Sequence, residues 1–409
     1  MGASGGRGLG ILLVCCSSRR DPNMRPTGNP TLSTAALDYD STMIGALELS
    51  SKKWVFAVQC PGVKKHSRHV VEPNGSALAE LFERLKGRCA VAGRPIARVI
   101  ITHEAGRDGF WLARFLERRG VEVHVMQSSS LPVDRRARRA KTDLIDVEML
   151  LRTLMAWLRG EPRVCSMVPV PSEADEEARR AHREREDLVG ARRSLLNKIG
   201  GILATLGIEG YQALRRDRRA RLADLRQPDG AALPAAALAR IERLLDRLEL
   251  VMTQIKGVEK ARDAVVAKPA AENDNERMIR DLAGVRGVGA ESATLLVREA
   301  FCREFANRRS LGAYAGLAGT PFASGGMQRE QGIGKDGNRR LRALIVELAW
   351  FWLRFQPDSA LAQWFRERVG QARGRVAKIM IVALARKLLI ALWRFAKDGV
   401  IPEGATMKA

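Results

Sequence analysis

Between Met43 and Gln127 the hydrophobic period of the chain switches back and forth between two and three to four residues, and this restricts the fold more than any other feature. Short runs of apolar and β-branched residues stand at Ile44 to Leu49, Trp54 to Gln59, Ser67 to Val71, Arg98 to Thr102 and Val121 to Met126. Helical patterns separate them at about Ser76 to Lys86 and Asp108 to Arg119, the latter ending at Gly120. Strands and helices in this order bury their apolar faces by laying helices on a mixed sheet, so the segment reads as one α/β domain.

Beyond Pro132 the pattern becomes helical. A basic run with Arg135, Arg136, Arg138, Arg139 and Lys141 leads into a helix from about Asp143 to Leu158. Pro162, Pro169 and Pro171 mark a linker, and Ser172 with acids at 173, 175, 176 and 177 predicts the start of another helix, its first turn charged to suit the macrodipole. Leu188, Leu195, Ile199, Ile202 and Leu206 keep a four-three spacing, as do Ile241, Leu244, Leu248, Val251, Ile255 and Val258, so two long helices can pair as a coiled-coil arm. The connection between them carries Arg215, Arg216, Arg218, Arg219 and Arg221, which reads either as the basic tip of a helical hairpin or as a solvated charged loop. Lys268 to Asn275 predicts a second linker, and the remainder is helical apart from a Gly-rich passage between Gly312 and Gly337. The expected units are therefore 43–165 for the sheet domain, 166–275 for the arm and 276–409 for a mainly helical C-terminal domain. Residues 1–42, rich in Gly, Ser, Pro and Arg, read as a disordered leader or an early start, with Met24 or Met43 as the alternative start. The apolar run at residues 10–16 is too short, and too poorly preceded by charge, for a secretory signal.

Charge narrows the partners. Lys and Arg number 69 against 46 Asp and Glu, a formal net charge of +23, which predicts a polyanionic partner and strongly salt-dependent binding. No apolar run is long enough to span a membrane, since Arg386, Lys387 and Arg394 interrupt even the C-terminal one. Six cysteines without a Cys-x-x-Cys pair suit reduced thiols in a cytoplasmic chain and argue against structural zinc.

Four acids are candidates for chemistry. Glu48 falls on the first strand, Glu104 just beyond the Arg98 to Thr102 strand, and Asp143 and Asp146 stand three apart on one helix face. Transfer of a DNA phosphoryl group calls for clustered carboxylates, because two Mg²⁺ ions about 4 Å apart activate the attacking oxygen and stabilise the leaving one. Any one of these acids alone would read as surface charge; the argument rests on the set. Ser324, between Ala323 and Gly325-Gly326 and followed by Arg329, Lys335, Arg339, Arg340 and Arg342, is the candidate nucleophile, with guanidinium groups to steady phosphoryl oxygens. A serine in a Gly-rich loop is otherwise a turn residue. Gly287 and Gly289 form a Gly-x-Gly turn between apolar helices that resembles a helix-hairpin-helix, able to offer backbone N–H groups to a phosphate or simply to permit a tight connection. Trp350, Trp352 and Trp393 lie on amphipathic helices and read as core or oligomer contacts.

Three segments carry a resemblance. Ile44-Gly-Ala-Leu-Glu-Leu-Ser-Ser-Lys-Lys-Trp54, His103-Glu-Ala-Gly-Arg-Asp-Gly-Phe110 and Arg135 to Asp146 resemble the acidic motifs of the DEDD transposases of bacterial insertion sequences, the bridge-RNA-guided recombinase family numbered one hundred and ten with its eleven-eleven subgroup. Phe305-Ala-Asn-Arg-Arg-Ser-Leu-Gly-Ala-Tyr-Ala-Gly-Leu317, Ser324-Gly-Gly and Gly332-Ile-Gly-Lys-Asp-Gly-Asn-Arg-Arg-Leu-Arg342 extend it, in the same order, over about residues 43 to 405. The resemblance implies a RuvC-like, ribonuclease-H-type N-terminal domain in which Glu48, Glu104, Asp143 and Asp146 hold Mg²⁺. It implies a C-terminal domain whose Ser324 attacks DNA to give a covalent phosphoserine. It also implies a composite site from two protomers, a dimer or tetramer joined through the arm, double-stranded DNA as substrate and a structured guide RNA. One position departs from the family: the first acid is usually Asp, whereas Glu48 is one methylene longer, and Asp38 and Asp40 precede the strand. Two other functions stay open at this level, a hydrolytic nuclease like the junction resolvases and a catalytically inactive nucleic-acid-binding relative.

Overall fold

The computed structural model describes residues 37–106, 109–131, 143–268, 270–324 and 327–408. The expected leader up to residue 36 and the basic run with Arg135, Arg136, Arg138, Arg139 and Lys141 lie outside the described residues, as does the side chain of Asp143.

The N-terminal part is a mixed α/β domain. Its elements run β1 (Thr42–Glu48), β2 (Trp54–Gln59), β3 (Ser67–Val71), α1 (Gly75–Val91), β4 (Arg98–Glu104), α2 (Trp111–Glu117), β5 (Glu122–Met126), α3 (Asp143–Leu158) and β6 (Met167–Val168). The sheet order is β3-β2-β1-β4-β5-β6. β1, β4 and β5 are parallel, β2 is antiparallel to both its neighbours, and β6 closes the far edge antiparallel to β5. Side chains alternate across the pleat. Met43 and Leu47 meet α1 and α2 through Leu78, Phe82 and Leu116, while Ile44 and Ala46 meet α3 through Val147, Leu151 and Leu154. Both faces are covered, which is why the strands read as nearly continuous apolar runs. Gly45 is required where β1 passes β2, because a Cβ there would stand 2.3 Å from the Phe56 ring. Cys60, Cys89 and Cys165 are buried free thiols.

Two expectations change here. The second helix begins at Trp111, preceded by Gly109 in the left-handed region at φ +69°, and closes before Gly120 at φ +77°. The Pro-rich linker contains β6, whose pairing of Met167 with Met126 adds a strand and a core side chain that a bare linker would lack.

The next part is a helical hairpin of α4 (Glu173–Ala204), α5 (Arg218–Asp224) and α6 (Ala235–Ala267). Ser172 caps α4, its hydroxyl accepting from Asp175 N at 3.0 Å. Leu195, Ile199 and Leu203 of α4 pack on Ile241, Leu245 and Leu248 of α6. Four of the five arginines of the connection are answered locally: Arg218 pairs with Glu249 and Arg219 with Asp246, each at 2.6 Å, and Arg215 and Arg221 with Asp217.

The C-terminal part is mainly helical: α7 (Asp274–Gly284), α8 (Ala290–Leu296) continuing into a π turn (Val297–Phe301), α9 (Arg308–Tyr314), β7 (Gly319–Ser324), β8 (Met327–Ile333), α10 (Arg339–Phe355), α11 (Ala360–Val369) and α12 (Arg375–Asp398). Phe301, Leu348, Trp352, Leu384, Leu388 and Leu392 centre its core. The Gly-rich passage folds as the two-stranded β7–β8 hairpin. Trp352 is buried and donates from Nε1 to Ser359 Oγ at 2.8 Å, whereas Trp350 on the opposite face of α10 is 49% exposed.

Candidate active site and nucleic-acid interface

The parallel pairing of β1 with β4 sets Leu47 opposite His103, so the next residues, Glu48 and Glu104, end the two strands side by side. By alternation both follow Ile44, Ala46 and Ile100 onto the face covered by α3. Asp146 is half-buried in the first turns of α3, one residue before Val147, which packs on that same face. Glu48 and Glu104 are half-buried too. Among the described residues no three His, Cys, Asp or Glu side chains stand close enough to hold a metal ion. The donors this edge offers are carboxylate oxygens, the chemistry a hard divalent cation takes.

Ser324 ends β7 and pairs with Met327 across the tip of the hairpin. It is exposed. The cations that follow it divide into two groups. Lys335 and Arg339 are exposed. Arg340 is ion-paired with Glu186 of α4, and Arg342 donates to Ala315 O at 3.3 Å. Lys335 adopts φ +62°, uncommon for a residue with a Cβ, with its N–H donated to Gly316 O at 3.2 Å.

A buried polar cluster supports the foot of the hairpin; Tyr314, Gly337 and Asn338 of it fall in the Phe305–Leu317 and Gly332–Arg342 segments, but no motif points to Glu299, His182 or Arg183. Glu299, 3% exposed on the π turn, accepts from His182 Nε2 at 2.8 Å, Arg183 Nε at 3.0 Å and Asn338 Nδ2 at 3.0 Å. Burial pushes its carboxyl up, but these donors outweigh burial and hold it well below the usual glutamate range. Its backbone carbonyl accepts from Tyr314 OH at 2.8 Å, and Asn338 N donates to Tyr314 O at 2.7 Å. Gly337 lets those backbones meet, since a Cβ there would lie 2.2 Å from Tyr314 O.

The Gly287 turn is clamped from within the chain. Arg286 N donates to Thr406 O at 3.1 Å, Gln356 Nε2 donates to Arg286 O at 2.7 Å, and Lys408 Nζ donates to Val288 O at 2.7 Å. Gly287, at φ +91°, backs onto Phe355, and Gly289 is exposed at the start of α8.

Residues 279–364, which include the Gly287 turn, Glu299 with Tyr314 and Asn338, and the serine hairpin, match the model of the transposase family described as IS116/IS110/IS902. A Sinorhizobium fredii protein named as a transposase, y4rJ, is 47% identical over 372 residues, covering 89% of this chain and 94% of its own length. The chain belongs to the IS116/IS110/IS902 transposase family. The transposase for insertion sequence element IS1328 of Yersinia enterocolitica is 26% identical over 338 residues, 81% of this chain and 94% of that one. Membership implies insertion-sequence transposition, and with it a DNA-binding, DNA-recombining enzyme of a type that generally uses a divalent metal. No helix among this transposase's described residues is long and apolar enough to cross a membrane.

Proposed function

We propose that this transposase cleaves and exchanges DNA strands with two groups of residues: a Mg²⁺-holding acidic edge formed by Glu48, Glu104, Asp143 and Asp146, and the nucleophile Ser324. The observation that carries the proposal is the side-by-side ending of Glu48 and Glu104 on adjacent parallel strands, under the helix that begins with Asp143. The sheet order, with β2 reversed against its neighbours, supports reading this domain as RuvC-like. Bound Mg²⁺ would lower the charge on the phosphoryl oxygens and on the oxygen that leaves. Ser324 Oγ attacks phosphorus, its proton passes to a base, and the P–O bond to one deoxyribose breaks, that oxygen leaving as a hydroxyl. Attack by a deoxyribose hydroxyl of the second strand then releases the serine and joins the strands without net hydrolysis.

Ser324 and the acids belong to different cores, which supports a site assembled from more than one protomer. The exposed Trp350 and Phe351 on α10 and Leu250 on α6 offer apolar surface for a dimer or tetramer. A structured guide RNA completes the proposal. Arg135, Arg136, Arg138, Arg139, Lys141, Arg329, Lys335 and Arg339 are its candidate contacts to nucleic-acid phosphates, and Gly287 and Gly289 a backbone contact to DNA.

The test is Mg²⁺-dependent strand exchange on element-junction DNA with its flanking RNA, comparing wild type with Ser324→Ala. A denaturant-resistant protein–DNA adduct in the wild type that is absent from the variant is expected. Cleavage that persists in the variant without any adduct would make the protein a hydrolytic nuclease. No reaction by either would make it an inactive binder, with Glu48 the first residue to restore to Asp.

A further inference from the structure

An open groove of about 1320 Å³ runs between α9, α12 and the foot of the β7–β8 hairpin. Along it α12 presents Arg375, Lys378, Arg386, Lys387 and Arg394. Arg308 and Arg309 face them from α9, and Lys335 closes the end beside the hairpin in its left-handed conformation. Among the described residues no Asp or Glu lines the groove and none of these cations has a carboxylate partner. On α5 the arginines are answered by acids, Arg218 by Glu249 and Arg219 by Asp246, whereas here eight cations converge on one groove with no acid among them. Such a row repels itself unless a polyanion neutralises it. Gly312 contributes too: a Cβ there would lie 3.2 Å from Arg386 Nε, so the bare backbone of α9 lets that side chain pass without shifting.

We infer that this groove holds the sugar-phosphate backbone of duplex DNA to one side of the cleavage point. The inference deepens the transposase reading and rests on it. At 1.5 Å rise per residue, Arg375 to Arg394 spans about 28 Å, or about eight base pairs of DNA at 3.4 Å each. Ser324 lies five residues beyond Gly319 at the hairpin foot, which at about 3.3 Å per residue is about 17 Å from the groove. A phosphate in the groove is therefore not the one the serine attacks; the groove grips a flank while the hairpin tip reaches along the duplex.

The floor favours DNA over RNA. Between the cations lie Ile379, Val382 and Ile390, with Trp364 under Lys387 at 4.7 Å from the ring centroid. Ile379, Val382 and Ile390 accept the C–H surface of deoxyribose but give a 2′-hydroxyl nothing to bond, and burying an unbonded hydroxyl is costly. The groove thus combines phosphate contacts at the rim with a floor suited to the sugar that lacks that hydroxyl.

Fluorescence anisotropy with the full chain, a labelled 30-base-pair DNA duplex and an RNA duplex of the same length tests this without requiring cleavage. The Arg375→Ala/Arg386→Ala/Arg394→Ala variant should bind DNA at least about tenfold more weakly, and its log–log salt slope should be shallower by about 2 to 3, because three fewer phosphates are neutralised. In the wild type, DNA should shield Lys378 and Lys387 from acetylation, a readout that does not depend on how well the variant folds. Unchanged DNA affinity and slope, or lysines modified as in the free protein, would overturn the assignment. Loss of RNA binding alone would overturn it in favour of RNA. A wild type that bound no DNA at low salt would sink the transposase reading itself, and the groove with it.

Discussion

At the scale of single residues the most consequential group outside the proposed chemistry is Glu299, a buried carboxylate that would be costly without its donors from α4 and Asn338. Its pKa is lowered in the fold, so the stability it contributes is fully present above the ordinary glutamate value of about 4.3 and is lost as pH falls from there towards the lowered value. Glu299→Gln should destabilise the protein at pH 7 by about 2–3 kcal/mol, less than a fully buried pair because Arg183 is partly exposed. The gap between wild type and variant should narrow between about pH 5 and pH 3, and denaturant titrations at a series of pH values measure it. Equal stability at neutral pH would mean that the cluster is not structural. Glu48 and Glu104 can be singled out from sequence because strand ends reveal themselves through alternation. Glu299 cannot, since one acid in a helical stretch looks like any solvated charge until its partners are known, and two of them, His182 and Arg183, lie more than a hundred residues away.

At the scale of elements, the arm and the serine hairpin are opposite cases. The arm has its own core, and Leu245, fully buried there, should cost about 2–4 kcal/mol as Leu245→Ala. Hydrogen exchange should quicken across α4 beyond Leu195 and across α6, while β1 and β4 keep their protection; uniform loss across the chain would mean the arm and sheet unfold together. β1, β2 and β3 can be read from sequence nearly to the residue because β-branched runs between turns have few other uses. β6 cannot, being two residues in a Pro-rich stretch whose strand character comes entirely from pairing with β5. The β7–β8 hairpin is also hidden, since Met327-Gln-Arg-Glu-Gln-Gly-Ile333 carries charges where a half-buried strand would alternate. The groove cations of α12 are inconspicuous for a related reason. Spaced among Ile, Val and Leu, they read as the polar face of an ordinary amphipathic helix, and only the approach of α9 makes that face a groove.

At the scale of the whole molecule, the continuous helix α4 connects three cores. Its first turn is tied to the sheet domain by Arg114 with Glu176 at 2.5 Å, its next turns to the C-terminal part by His182 with Glu299, and its far half belongs to the arm. Gly190, between Leu188 and Leu195, has open space where a Cβ would stand, and α6 runs beside α4 on either side of it, joined by Arg185 with Glu259 before it and by Leu195 with Leu248 after it. One residue inserted after Gly190 turns the apolar face of α4 beyond it by about 100° away from α6, while seven inserted there and seven at the facing point of α6 return both helices to within about 20° of their starting azimuth and extend the arm by about 10 Å. Strand exchange should be lost with the first insertion and retained in part with the second; equal loss in both would show that reach, not direction, is what the arm supplies. α4 thus behaves as a drive shaft keyed at one end, and what an assembled complex inherits from it is angular phase. Two protomers that meet through their arms would have their sheet edges and serine tips timed against each other by the pitch of the paired helices α4 and α6.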